Sequence, residues 1–263
     1  MPFIRSRIPF TPQMPYRSVR PTTSKIIFLS CEGSVTEEEY FAHISNIFSG
    51  IKSKIQFISV AEDAVHTDPK YRTNDQAMLL SKVRPRQLVE RIDSFIREKE
   101  DIYQFSNYPE DEFWVITDVD NNWSDDIIDP NGEKTYRDEW NDAIATCEKK
   151  GYSYAISNPF FEIWLLLHQD FPTEEDKNFA ISDNHAYEKT NHFRERLKSL
   201  NAPLTGQGRK HINSSDYSEE KVKIAVQRAE QLHLNKEDLC PKYFATTVYL
   251  LLQKIIDMLP IEE

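Results

Sequence analysis

The stretch Phe113-Trp114-Val115-Ile116-Thr117-Asp118-Val119-Asp120 constrains the chain more than any other, because a run with the apolar character of a buried strand ends in two carboxylates on alternate positions. Residues i and i+2 of an extended backbone point to one side, so Asp118 and Asp120 are expected to face a common point. Two carboxylates about 4 Å apart repel by roughly 4 kcal/mol at an effective dielectric near 20. A bound cation relieves that conflict, and Mg²⁺ suits it, being a hard ion that takes oxygen ligands and arrives with substrate phosphates. The plainer reading is a strand-end turn with exposed Asp residues. It loses weight because acids recur at other predicted strand ends.

Lys25 to Cys31 is a second near-continuous apolar run, of the kind found in a strand covered on both faces. Glu32 stands at its carboxyl end, and Gly33 is expected to permit a turn. Thr36 with Glu39 reads as a capping box, followed at helical spacing by Tyr40, Phe41, Ile44, Ile47 and Phe48. Ile55 to Val60 predicts another strand, and the polar stretch Glu62 to Asp75 is too irregular for an element. Pro85 suits the first turn of a helix buried through Leu88, Val89, Ile92, Phe95 and Ile96. Asn121 to Lys134, with Asp125, Asp126 and Asp129, reads as a solvated acidic loop, with assistance to metal binding as the alternative. Thr135 and Asp138 open the next helix, and Gly151 is placed to end it. Tyr152 to Ser157 predicts the fourth strand, after which Pro159 suits the first turn of a helix through His168.

Beyond residue 170 no strand signal of comparable strength appears. Helices are expected over Asp183 to Leu200, Ser218 to Leu234 and Thr246 to Leu259, with a polar loop from Asn201 to Tyr217. The chain therefore divides into an extended, basic, proline-rich arm (1–24), an α/β core (25–170) and a mainly helical extension packed on it (171–263). In a sheet built by strand–helix alternation, ligands bind outside the carboxyl ends of the strands. That rule gathers Glu32, Asp118, Asp120, Asn158 and Glu162 at one edge, although they are far apart in sequence.

Three widely spaced cysteines argue against a disulfide framework and for a reducing, cytoplasmic setting. Neither a signal peptide nor an apolar run of membrane-spanning length is expected. The net charge of −11 disfavours a general nucleic-acid coat, yet residues 1 to 25 carry +5 with no acid. An acidic nuclease is compatible with this charge when its cations gather where the substrate lies. The arm is either such a phosphate contact or a solvated tail.

Cys31-Glu32-Gly33, Thr36-Glu37, Tyr40-Phe41, the strand ending in Asp118-Val119-Asp120, and the block from Ser157-Asn158-Pro159 through Phe160-Phe161-Glu162-Ile163-Trp164 to His168 together closely resemble the RloB-like proteins. These are associated with bacterial defence against phage and look like members of the Toprim superfamily. The resemblance runs from about residue 25 to the end, and its long Ser-Asn-Pro block is the specific signal. It implies a Toprim-like, Rossmannoid parallel sheet with flanking helices, in which Glu32 acts in acid/base chemistry and Asp118 and Asp120 hold Mg²⁺ or Mn²⁺. Glu32 either ligates the metal as well or assists proton transfer. The closing segment departs from the family, with Cys240-Pro241-Lys242-Tyr243-Phe244 where a small Asn-Pro-Ser-Thr-like turn is expected.

Secondary candidates are Asn158, as helix cap or substrate-orienting group, Glu162, as first-turn acid or site residue, and His168, as helix-end residue or proton donor and ligand. The segment Thr205 to His211 lacks a nucleotide-loop spacing, but Arg209 and Lys210 are candidate nucleic-acid contacts, with Lys189, Arg194, Arg196 and Lys198 nearby in sequence. The expected activity is metal-assisted phosphodiester hydrolysis by a Toprim-type nuclease in antiphage defence. RNA is favoured over DNA, with tRNA as one target. A non-catalytic sensor that binds a nucleotide or phage protein in the same pocket is the alternative. Association with a second copy and a phage-encoded trigger stay open.

Overall fold

The computed structural model describes residues 25–48, 55–60, 84–119, 134–181, 186–233, 235, 237, 239–241 and 244–257. The basic arm, the 62–75 stretch, Asp120 and the acids Asp125, Asp126 and Asp129 lie outside them.

The apolar runs form strands where expected: β1 (Lys25–Cys31), β2 (Ile55–Ser59), β3 (Glu112–Asp118) and β4 (Ser153–Asn158). Between them stand α1 (Thr36–Ile47), α2 (Pro85–Tyr103) and α3 (Tyr136–Lys150). After β4 stands α4 (Glu162–Gln169), and the extension supplies α5 (Glu174–Ile181), α6 (Ala186–Ser199), α7 (Glu219–Leu232), β5 (Ala245–Thr246) and α8 (Val248–Ile256). The sheet order is β2-β1-β3-β4-β5, parallel through β4 and antiparallel at β5.

Period-two alternation sorts β1 between two cores. Ile27, Leu29 and Cys31 pack with α1 and with helices of the extension, whereas Ile26 and Phe28 pack with α2 and α3. Both faces are therefore covered, which explains why the strand reads as a continuous apolar run. Helix α4 is buried around its whole circumference from Glu162 to His168, since it lies between β4 and the helices α6 and α7.

Several local expectations need correction. Helix α1 has Val35 as N-cap with no side-chain cap bond. Its Thr36 hydroxyl donates instead to the Lys210 carbonyl (2.8 Å), and Glu39 accepts from the Ile212 amide (3.0 Å). A distant loop has taken over both members of the expected box. Pro159 does not open α4: it follows Asn158 in a cis peptide, and the helix begins three residues later at Glu162. Strand β5 was not expected, because two residues paired to an edge strand carry no periodic signal. Helix α5 was also missed, although Thr173 and Asp176 cap it reciprocally: the Asp176 amide donates to the Thr173 hydroxyl (3.1 Å) and the Thr173 amide to Asp176 (2.9 Å). The same chemistry at Thr135 and Asp138 opens α3 as expected, and Gly151 ends it at φ 71°.

Candidate active site

From β1 the chain crosses to β2 on one side, and the next strand, β3, pairs on the other. The crevice outside the carboxyl ends of β1 and β3 is thus a topological switch point, the usual ligand position in such sheets. Glu32 leaves β1 there, its amide donating to the Ile116 carbonyl (2.9 Å). Its carboxylate reaches across β3, where Oε2 accepts from the Thr117 hydroxyl (2.6 Å) and the Asp118 amide (3.0 Å). Two donors fix its position against the last residue of β3.

Gly33 works by close approach rather than by an unusual backbone angle. Its φ lies outside the left-handed region, but an added Cβ would fall 1.9 Å from Glu37 Oε2. Glu37, on the first turn of α1, folds back so that Oε1 accepts from the Gly33 amide (3.1 Å). Gly33→Ala must therefore push the Glu37 carboxylate off its seat. Because a flexible side-chain tip is what moves, the expected thermal-melt change is small, within about 1 kcal/mol. A crystal structure of the variant should show the Glu37 carboxylate displaced.

The opposite wall joins α4 to the extension. Glu162 starts α4, and Arg194 of α6 donates to its Oε1 through Nε (3.0 Å) and Nη2 (2.9 Å). The remaining guanidinium nitrogen, Nη1, donates to the Gly208 carbonyl (3.1 Å). Gly208 belongs to a short loop closed by Thr205 and His211, which pair backbone to backbone (2.8 and 3.1 Å) and present Lys210. Glu32, Glu37, Asp118, Glu162, Arg194 and Lys210 line one cavity of about 270 Å³.

Four carboxylates in one crevice disfavour ionisation. Burial raises the Asp118 carboxyl well above its ordinary value, and Glu32, Glu37 and Glu162 raise it further, against a hydrogen bond from the Phe161 amide. Burial likewise pushes Glu37 up to about 8, with Glu162 and Glu32 adding to it. Compensation comes from the N-termini of α1 and α4, which open at this crevice. Arg91 reaches from α2 to donate to the Cys31 carbonyl (2.8 Å), where burial lowers its own pKa and nearby Glu38 and Glu32 counter that effect.

Of the candidates read from sequence, the structure brings Glu32, Asp118, Glu162 and Lys210 to this cavity, while Asp120 lies outside the described residues. Asn158 is elsewhere, donating to the Pro241 carbonyl (2.9 Å) and so tying the closing turn to β4. Arg209 is exposed and pairs with Glu195. His168 sits at the far end of α4, buried among Tyr40, Trp164 and Tyr217. Its ring nitrogens meet the Trp164 carbonyl (2.9 Å) and the Tyr40 hydroxyl (3.0 Å), and burial drives its pKa down to about 3. It is a neutral core residue rather than a proton donor at the cavity.

Sequence reading missed two wall residues as site candidates. Glu37 carried a usable signal, since it lies four residues after Gly33 at the start of a helix. Arg194 carried only its charge and its nearness in sequence to the basic 205–211 segment, because its carboxylate partner is 32 positions away.

The donor chemistry fits a divalent hard cation: carboxylate oxygens, one of them on a carboxyl group whose ionisation its neighbours oppose. Among the described residues no group of three or more His, Cys, Asp and Glu is arranged to hold a metal ion. A site that uses one or two carboxylates and completes itself with water and substrate phosphate is the form Mg²⁺ commonly takes. No helix among the described residues is long and apolar enough to cross a membrane.

A family model described as RloB-like protein matches residues 27–255. No curated protein and no solved structure matches the chain.

Proposed function

The chain belongs to the RloB-like family, and from that premise and the charge pattern of the cavity we propose a Mg²⁺- or Mn²⁺-dependent Toprim-type nuclease that cuts RNA, tRNA among its targets, in bacterial antiphage defence. The observation that carries this reading is the seating of Glu32 against the end of β3, where Thr117 and the Asp118 amide hold it beside Asp118 at the sheet's switch point. Asp118, together with Asp120, holds the cation. The chemistry a bound divalent ion supplies is polarisation of a phosphoryl oxygen and activation of water. Glu32 stays fixed by its two donors and orients the attacking water or accepts its proton. Asp118 and Glu32 thus divide the work: one carries the charge that attracts a cation, the other is a rigid hydrogen-bond acceptor.

The test is cleavage of total tRNA, other RNA and plasmid DNA by the purified full chain, with Mg²⁺, with Mn²⁺ and with chelator. Cutting of RNA that needs the metal and stops in chelator is the expected result. Metal-dependent cutting of DNA alone would keep the nuclease and reverse its substrate. Tight binding of a nucleotide with no cleavage of any polymer would replace the enzyme with a sensor that uses the same cavity.

A further inference from the structure

The cations on the cavity wall among the described residues, Arg194 and Lys210, come from the extension and are joined through one loop. Arg194 Nη1 holds the Gly208 carbonyl, and two residues later the Lys210 carbonyl is held by the Thr36 hydroxyl at the mouth of α1. The loop is therefore pinned on both sides, with Lys210 exposed at the cavity rim. A phosphodiester cannot approach this crevice of acids unaided, since each ionised carboxylate about 4 Å away repels it by roughly 4 kcal/mol at an effective dielectric of 20. Cations must meet it.

Arg194 is built for that contact but is turned elsewhere. Nε and Nη2 converge on a single oxygen of Glu162, not on the two oxygens that the guanidinium fork matches best. The side chain keeps 21% of its surface exposed, while Glu162 keeps 9%. A phosphodiester offers the fork two oxygens in the bidentate geometry that the single-oxygen contact with Glu162 does not use. Resting on the phosphodiester reading of this cavity, we infer that Arg194 is the substrate-phosphate clamp: its guanidinium trades Glu162 for two oxygens of a nucleic-acid phosphate. Lys210 neutralises the same backbone, and the 205–211 loop moves with Arg194 through Gly208. Affinity for the polyanion then resides in the extension, and the carboxylates of the sheet edge do the chemistry.

The experiment is fluorescence anisotropy with 3′-fluorescein-labelled total tRNA, in chelator so that no cleavage occurs, across a salt series. The proteins are the full-length wild type, Arg194→Gln, Arg194→Lys, Glu162→Gln and the double variant Glu162→Gln/Arg194→Gln, each checked for its thermal melt. Arg194→Gln should bind about tenfold or more weakly, with the slope of log K against log salt smaller by about one. Arg194→Lys should recover the slope but only part of the affinity. Glu162→Gln should bind at least as tightly as the wild type, and the double variant should stay as weak as Arg194→Gln. If Arg194 acts only by neutralising Glu162, the double variant returns to wild-type affinity and slope; that result overturns the clamp. So does an Arg194→Gln variant that binds like the wild type. Either result leaves wild-type, metal-dependent cleavage standing, whereas a wild type that neither binds nor cuts tRNA, other RNA or plasmid DNA removes both the clamp and the nuclease.

Discussion

Asp118→Asn should abolish metal-dependent cleavage, by about 10²- to 10³-fold or more, without lowering the melting temperature. A loss of that size is typical when one group that stabilises developing charge is removed. The substitution is nearly isosteric, and the amide oxygen can still accept the hydrogen bond that the Phe161 amide gives the native carboxyl. What disappears is a charge that burial and three neighbouring carboxylates oppose. Folding therefore loses nothing, while the proposed nuclease loses its cation ligand. Parallel activity assays and thermal melts in chelator separate the two effects. A variant that melts far below the wild type would assign Asp118 to the fold, and one that cleaves normally would remove it from the reaction.

That separation of chemistry from folding marks which parts of the protein sequence alone discloses. Strands β1 and β3 were legible because burial on both faces demands a continuous apolar run, and such a run is a local property. The start of α3 was legible for the same reason: Thr135 and Asp138 satisfy each other's backbone donors three residues apart. The equivalent pattern at Thr36 and Glu39 misled, because a polar side chain at a helix start takes whichever partner folding delivers. Here the 201–217 loop delivered better ones.

The site divides along the same line. Glu32 and Asp118 could be placed because the carboxyl ends of parallel strands converge by topology alone. Arg194 could not, since its approach to Glu162 depends on how α6 packs against α4. His168 could not be decided from sequence either. A histidine closing an apolar helix reads as a helix-end residue or as a proton donor, and only the packing shows Tyr40, Trp164 and Tyr217 enclosing it and using its ring as a core hydrogen-bonding element.

Glu37 provides the second large effect, on stability rather than turnover. In the folded chain its carboxyl is pushed up to about 8, from 4.5 for the unhindered group, chiefly by burial and then by Glu162 and Glu32. Between those values the folded protein holds a proton that the unfolded chain has released, so stability falls as pH rises through this window and levels off above about pH 8. Each pH unit of displacement is worth about 1.4 kcal/mol, which puts the penalty at a few kcal/mol on the alkaline side. Glu37→Gln removes the titration and still offers an oxygen to the Gly33 amide. In chelator, its melting temperature should exceed that of the wild type at pH 8 to 9, and the two should converge near pH 4.5 and below. Melts across pH 4 to 9 decide the matter. A constant offset between the proteins would mean that Glu37 ionises as freely when folded as when unfolded, and that the crowding of carboxylates at the switch point is relieved by some other group.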